Sequence, residues 1–225
     1  MINSRASSRP GRRGPGGKLT REAIVSVARS LIEEEGPDAL SMRRLASVVN
    51  SSPMALYHHV EGRADLLAAI FAQICAEAPR PELPEDPVER MESLAMLGQR
   101  MLHEHPWTLE ILSSELALRR ENLWYIEEFL AAAAAAGCTD SQSAGLYLTI
   151  WKLIIGNAVL RKNRETGLAG PGNASAALEI AEAEGMPRSR KAIAEWHELG
   201  EAADLRAEIT AVLSALVGRG VPATA

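Results

Sequence analysis

Apolar positions recur every three or four residues along most of the chain, which is the spacing of amphipathic α-helices. The first such run begins after Thr20, a residue suited to cap a helix, and ends before Gly36. Two short runs follow, introduced by Ser41 and Ser52, and the second opens with Pro53 at its first helical position. A fourth run follows directly. The pattern therefore predicts four helices in the first third of the chain.

Four prolines between residues 79 and 87 predict a rigid linker, after which longer amphipathic runs appear. Thr139 and Gln142 have the spacing of a capping box, a reciprocal pair of hydrogen bonds at a helix start. Residues 165–173 predict a loop, and residues 175–198 one or two weaker helices. The principal helices are predicted at 88–104, 107–114, 115–136, 140–163 and 201–217. No segment has the alternation of a strand, so the predicted fold class is all-α.

Composition agrees with a helical globular protein and excludes several classes. Of 225 residues, 47% are hydrophobic and 24% charged, and only 4% are aromatic. Two cysteines cannot build a disulfide framework or a four-cysteine zinc site. No histidine follows a glutamate at the spacing of a di-metal bundle, and no nucleophile elbow occurs. We therefore expect no enzyme activity, no metal and no cofactor.

The longest apolar run, from Phe129 to Cys138, is shorter than the roughly 18–20 residues of a membrane span. The basic start of the chain leads into Gly and Pro and has no apolar region of a signal peptide. The sequence therefore predicts a cytoplasmic protein that does not enter a membrane.

Charge is distributed unevenly along the chain. The net charge is −5, but residues 1–63 hold ten basic and six acidic side chains and the remainder is acidic. A basic N-terminal part on an acidic body is typical of proteins whose one end contacts phosphates. Residues 1–18, rich in Gly, Pro, Ser and Arg, predict a disordered basic arm. Two interpretations of this arm stay open, a salt-sensitive contact with nucleic acid and a passive tail.

Three short helices joined by tight breaks, with only a few residues between the second and the third, are typical of a helix-turn-helix. The third helix carries an outward surface of small, aromatic and imidazole side chains, and Leu56 and Val60 remain to anchor it. Such a surface suits a major groove, where small and apolar groups contact base edges. The alternative is a three-helix subdomain that contacts no nucleic acid.

The stretch from Lys18 to Ile70 resembles the DNA-binding domain of tetracycline-repressor-like (TetR-family) regulators. The matching segments are the Thr-Arg-Glu start at Thr20, Gly36, and the runs 41–46, 50–52, 55–60, 63 and 66–67. Pro53 and Met54 depart from the family pattern in a region that varies with the operator. The resemblance implies an N-terminal helix-turn-helix domain over 19–65 and a C-terminal helical bundle over 66–225 that binds an effector and dimerises.

The resemblance also implies contacts with double-stranded operator DNA. Arg43 would contact a phosphate or a guanine edge, and Arg63 would add a phosphate contact from the fourth helix. Near the third helix, the residues expected to face the bases or the backbone are Ser52, Pro53, Met54, Ala55, Tyr57, His58 and His59. Family members bind palindromic operators as homodimers whose two third helices lie about 34–36 Å apart.

For the C-terminal domain the resemblance implies a small-molecule effector that releases the protein from DNA. The residues expected to line its pocket are His105, Trp107, Trp124, Tyr147, Trp151 and Asn157. The homodimer is expected to form through the helices near 140–163 and 201–217, although their apolar residues would equally suit the core of one subunit. A repressor is the expected role. An activator and an adaptor that binds no ligand stay open as alternatives.

Overall fold

The computed structural model describes residues 19–112, 118–165, 171–202 and 204–217. Within these ranges every regular element is helical and no strand occurs, so the all-α prediction is confirmed. The predicted basic arm, residues 1–18, lies outside the described residues. The chain divides into two compact units, one that ends at Ile70 and one that begins at Phe71. The sequence predicted the division after residue 65, one helical turn earlier.

The first unit contains three helices and the beginning of a fourth: α1 (Arg21–Glu35), α2 (Met42–Val48), α3 (Pro53–Tyr57) and α4 (Arg63–Glu77). All three predicted caps are present. Thr20 accepts a hydrogen bond from the backbone N–H of Ala23, Ser41 from that of Arg44, and Ser52 from that of Ala55. Each hydroxyl satisfies a donor that the first turn of a helix leaves without a partner.

The core of the first unit consists of aliphatic side chains from all of its helices. Ile24, Ala28, Leu45 and Leu66 are completely buried there. Gly36 ends α1 with φ of 87°, in the left-handed region that side chains rarely adopt, and the chain turns into α2 through a short 3-10 turn. The tight connections hold α2 and α3 at the short separation that the sequence predicted.

The second unit is a helical bundle built from the last part of α4 and seven further helices: α5 (Pro87–Glu104), α6 (Leu109–Leu112), α7 (Leu123–Ala135), α8 (Asp140–Glu165), α9 (Pro171–Ala183), α10 (Pro187–Ala202) and α11 (Leu205–Val217). Its core is formed by α5, α7, α8 and α11. The capping box is confirmed, because Thr139 N–H donates to Gln142 Oε1 at 2.9 Å and Gln142 N–H donates back to Thr139 Oγ1 at 3.4 Å.

Several helix boundaries differ from the prediction, among them the start of α11, which was predicted at residue 201 and lies at Leu205. The helix predicted at 107–114 is a 3-10 turn over Pro106–Thr108 followed by α6. The helix predicted from residue 115 begins only at Leu123, because Asn122 Oδ1 accepts from the backbone N–H of Arg119 and holds a separate turn before it. The loop predicted over 165–173 was also too long. The helix α9 begins at Pro171, where proline starts a helix instead of interrupting one.

The helix α8 is long and apolar enough to cross a membrane by length and composition. A window of 18 residues within the span Asp140–Asn163 has a mean hydropathy of 1.4, although polar residues interrupt every long apolar run. Because no unbroken apolar run of that length occurs, the sequence did not predict such a segment. A helix in a protein core passes the same test. Leu146, Ile150 and Ile154 of α8 are indeed buried in the bundle, while Leu160 is 60% exposed.

Candidate nucleic-acid interface and ligand cavity

The helix α3 displays most of its residues to solvent. Met54 is 71% exposed and Tyr57 51% exposed, whereas Leu56 is completely buried and Val60 nearly so. A helix of five residues is unstable alone, so α3 depends on these two anchors. Complete burial of a Leu or Val side chain contributes about 2 kcal/mol. The two apolar anchors hold a short helix whose other side is free to contact a partner.

The predicted contact residues are found on this outer side. Most of them are exposed, namely Ser52, Pro53, Met54, Tyr57 and His58. Ala55 and His59 are partly exposed. Arg43, in the first turn of α2, is exposed as well. The outward surface predicted for α3 is therefore present, with its aromatic and imidazole side chains exposed or partly exposed.

An ion pair that the sequence analysis missed fixes the end of α3. The guanidinium of Arg21 donates two hydrogen bonds to the carboxylate of Asp65, at 2.8 and 2.6 Å, and a third to the carbonyl oxygen of His59 at 2.8 Å. Asp65 also accepts from the backbone N–H of Glu61 at 3.2 Å. The Asp65 hydrogen bond is the main cause that raises the pKa of Arg21. The pair joins the start of α1 and the start of α4 to the end of α3.

Arg63 makes contacts within its own unit. Its Nε donates to the carbonyl oxygen of Leu40 and one terminal nitrogen to that of Pro37, both at 3.1 Å. These bonds fasten α4 to the connection between α1 and α2. They favour a role in positioning α2 over the predicted phosphate contact, because a guanidinium held by two carbonyl groups has fewer donors left for DNA.

The second unit encloses a cavity of about 430 Å³ that opens to solvent. Its wall is formed by the last turns of α4 and by α5, α7 and α8, and the only charged residue among its described lining is Lys152. The volume lies within the range of cavities that hold a drug-sized ligand. Most of the lining is apolar or aromatic. Its central side chains are Phe71, Leu97, Met101, Trp124, Tyr125, Ile126, Tyr147, Trp151 and Ile155.

Aromatic rings meet edge to face on one wall of this cavity. Tyr125 lies 6.0 Å from Trp151 and 6.1 Å from Trp124 between ring centroids, and Tyr147 lies 6.3 Å from Trp151. Tyr125 donates to the carbonyl oxygen of Leu94 at 2.9 Å, and burial raises its pKa strongly. Edge-to-face contacts of this kind hold each ring in place and leave a rigid surface.

Gly98 of α5 makes room for this wall. A Cβ built at Gly98 would lie 2.9 Å from the hydroxyl oxygen of Tyr125 and 3.4 Å from the ring of Trp151. The hydrogen bond from Tyr125 to Leu94 spans 31 residues of sequence, so local patterns gave no signal for it. The absence of a side chain at residue 98 therefore allows the aromatic rings to reach the backbone of α5.

Comparison with known proteins identifies the first unit. Residues 24–70 match the family model described as bacterial regulatory proteins, tetR family. The chain is 28% identical over 148 residues to the transcriptional repressor DrrR1 of Streptomyces coeruleorubidus and 30% identical over 156 residues to a transcriptional regulator of Saccharopolyspora erythraea. Residues 24–70 therefore form a domain of the tetR family.

The similarity continues into the second unit. The solved structure of the TetR-family protein ActR from Streptomyces coelicolor, in complex with actinorhodin, is 25% identical and superimposes with a TM-score of 0.68. The alignment covers 90% of this chain and all of that chain. Among the curated relatives, the matches cover 65% and 66% of this chain. They span 55% of the length of DrrR1 and 65% of the length of the Saccharopolyspora protein.

Three of the six residues expected to bind an effector line the cavity, namely Trp124, Tyr147 and Trp151. The other three do not belong to its described lining. Trp107 is buried in the protein interior, 6.1 Å from the ring of His105, and neither residue belongs to the cavity wall. Asn157 does not line it either. Tyr125 and Gly98, which do, were missed.

The two helices expected to form a homodimer differ in how far their apolar residues are exposed. On α11 the expected contacts Leu205, Ile209 and Leu213 are buried in the core of their own subunit, so they belong to the monomer. On α8 the expected residues Leu148 and Val159 are 55% and 41% exposed. They are three helical turns apart and therefore lie on the same side of α8.

Proposed function

We propose that this protein is a transcriptional repressor that binds a palindromic operator as a homodimer and is released by a small hydrophobic effector. The observation that carries the proposal is the geometry of α3, a short helix held by Leu56 and Val60 with Met54 and Tyr57 facing solvent. A helix presented in this way can enter a major groove, which admits an α-helix and offers base edges and phosphates.

The contacts proposed with DNA divide into two classes. Ser52, Pro53, Met54 and Ala55 begin α3 and would face base edges, where the small and apolar groups fit thymine methyls. Tyr57 and His59 would donate to phosphate oxygens, as would Arg43 from α2 and His58 from the groove edge. A related solved structure, BioQ, was determined with its double-stranded DNA operator and is 24% identical to this chain over 66% of it. Phosphate contacts would fix the register, and base contacts would provide sequence preference.

The position of α4 supports the proposal that a bound ligand changes the affinity for DNA, because one helix carries residues at both sites. Its first turn holds Asp65, which is bonded to the end of α3 through Arg21, and its later turns place Phe71 and Cys75 in the cavity wall. A ligand that changes the preferred position of α4 would act on α3 through this ion pair. The ligand would shift the equilibrium only by its difference in affinity for the two states. The related ActR was solved with actinorhodin bound.

The exposed apolar side of α8 supports the homodimer. Leu148, Val159 and Leu160 are each more than 40% exposed, and a Cβ at Gly156 would meet no atom within 4 Å. A second copy of α8 could therefore approach closely along this side, as in a four-helix bundle. Such a dimer would set the separation of the two α3 helices near one turn of DNA, about 34–36 Å. Binding to chromosomal operators would place the protein in the cytoplasm.

Selection of bound sequences from a random pool of duplex DNA tests the proposal. We expect an inverted repeat whose half-sites are about one helical turn apart. Band-shift titration on that sequence then compares Tyr57→Ala and Arg43→Ala with Lys191→Ala, an exposed basic residue of α10 as control. The first two should weaken binding about tenfold each, and Arg43→Ala, which removes a positive charge, should also reduce its salt dependence. A pool without enrichment, or three variants with equal affinity, would refute the proposal.

A further inference from the structure

The described lining of the cavity in the second unit contains aromatic side chains that hold one another in place and a single charged side chain, which is positive. Trp124, Tyr125, Tyr147 and Trp151 contact one another edge to face, and the nearest of these pairs are about 6 Å apart between centroids. Rings fixed in this way offer flat, polarisable surfaces. Flat surfaces favour a planar ligand, because a flexible alkyl chain would lose more conformational freedom and leave gaps beside the rings.

One cation lines this cavity, and a second contacts one of its lining rings. Lys152 lines its wall from α8 and is exposed to solvent, and no carboxylate belongs to the described lining. The guanidinium of Arg80 lies 5.1 Å from the centre of the Trp124 ring, in the segment that continues from the lining residue Pro79. A guanidinium over an indole ring is attracted to its face and fixes its orientation. An anionic group on a bound ligand would meet favourable charge at this site.

The charged groups near the α4 wall and the α8 wall of the cavity have opposite signs. On the α4 side, burial and the charge of Glu121 raise the pKa of Cys75 to about 11, so this wall disfavours an anion. On the α8 side, Lys152 favours one. The two sides therefore define an orientation for a ligand that has an apolar body and an acidic group.

The indole of Trp151 provides a further polar group on the α8 side. Its N–H is shielded from solvent and forms no hydrogen bond among the described residues. Its interaction with the Tyr147 hydroxyl lowers the pKa of Tyr147, which burial raises to about 12, but the two groups do not reach full hydrogen-bond geometry. A ligand oxygen would give this shielded N–H a better acceptor.

We propose that the cavity binds a planar aromatic compound of several fused rings that carries an ionised acidic group, with the rings against Trp151 and Tyr125 and the acidic group at Lys152. This inference specifies the effector class of the proposed function and rests on that function for its biological role. The binding itself requires no DNA and is measured separately.

Calorimetric titration of the full-length protein with matched probes tests this proposal. Anthracene-2-carboxylate should bind about five- to tenfold more tightly than its neutral analogue anthracene-2-carboxamide, since the charged pair at an exposed lysine contributes modestly. Benzoate and decanoate should bind at least tenfold more weakly, because the first lacks two rings and the second is not planar. An equal affinity for acid and amide, an equal affinity for decanoate, or no binding of any probe would overturn the proposal.

Variants of the lysine assign the acidic group to its site. Lys152→Met should reduce the preference for the acid over the amide to less than twofold, whereas Lys152→Arg should retain it. Lys191→Met, which removes an exposed lysine of α10, should retain the full preference and serves as the matched control. A preference that survives in Lys152→Met would overturn the assignment.

Band-shift titration distinguishes this inference from the proposed function. Binding of anthracene-2-carboxylate with a Lys152-dependent preference, combined with no operator in the DNA pool, would support the ligand class and refute the repressor. A selected operator, combined with equal binding of acid and amide, would support the DNA-binding function and refute the ligand class.

Discussion

The ion pair between Arg21 and Asp65 leads to a quantitative prediction for α3. In the unmodified protein the guanidinium of Arg21 donates to the two carboxylate oxygens of Asp65 at 2.6 and 2.8 Å. Asp65→Asn removes the negative charge and can place an amide N–H opposite this guanidinium. Hydrogen bonds to charged groups contribute about 1.5–3 kcal/mol each. Asp65 is 12% exposed but Arg21 is 39% exposed, so solvent screens part of this energy. We expect a net loss of about 2 kcal/mol, well below the sum of both bonds.

The loss should be local, because Arg21 also holds the carbonyl oxygen of His59 at the end of α3. Hydrogen exchange measured on peptides that cover residues 53–60 should become about thirtyfold faster, the factor that corresponds to roughly 2 kcal/mol. Operator affinity should fall about tenfold, since α3 would spend more time out of position.

A matched variant on α1 provides the control. Glu33→Gln removes the partner of Arg29, an ion pair of similar length, 2.8 Å, on the exposed side of the helix. Exposed pairs of this kind contribute about 0.3–0.5 kcal/mol, so exchange in α3 should change less than twofold. If Asp65→Asn left the exchange of α3 within twofold of the unmodified protein, the ion pair would not position α3 and the argument would be wrong.

Three further predictions concern the second unit. Gly98→Ala should lower the free energy of unfolding by about 2 kcal/mol in urea titration, because the new methyl group displaces the Tyr125 hydroxyl from its bond to Leu94; an unchanged midpoint would contradict the close approach. Cys75, with its pKa raised to about 11, should react with iodoacetamide far more slowly at pH 8 than free cysteine and accelerate as pH rises towards 11, and fast alkylation at pH 8 would exclude this environment. Leu160→Glu, on the exposed side of α8, should convert the proposed dimer to monomer in sedimentation without loss of helicity, and a stable dimer of the variant would place the interface elsewhere.

The local signals in the sequence predicted the first unit well. Thr20, Ser41 and Ser52 cap their helices as expected, because a hydroxyl one residue before a helix acts on donors two or three residues away. The outward surface of α3 followed from its few apolar positions. These features depend on neighbours in sequence, and the periodicity of side chains contains that information.

The features that the sequence did not predict depend on contacts between distant residues. Arg21 and Asp65 are 44 residues apart, and Tyr125 and Leu94 are 31 apart. The spacing of apolar and polar residues along a helix contains no information on which residues of two distant helices form such a pair. Of the aromatic residues predicted to contact a ligand, Trp124, Tyr147 and Trp151 line the cavity and Trp107 does not. Composition identifies an aromatic residue but not which side of its helix faces a cavity.

The course of α4, from Arg63 to Glu77, has a genetic consequence. Within four helical turns the same element carries Asp65, bonded near the end of α3, and Cys75, in the cavity wall. For the proposed repressor, screens for mutants should therefore recover two opposite phenotypes from one short stretch of codons: constitutive expression from its beginning, and insensitivity to inducer from its end.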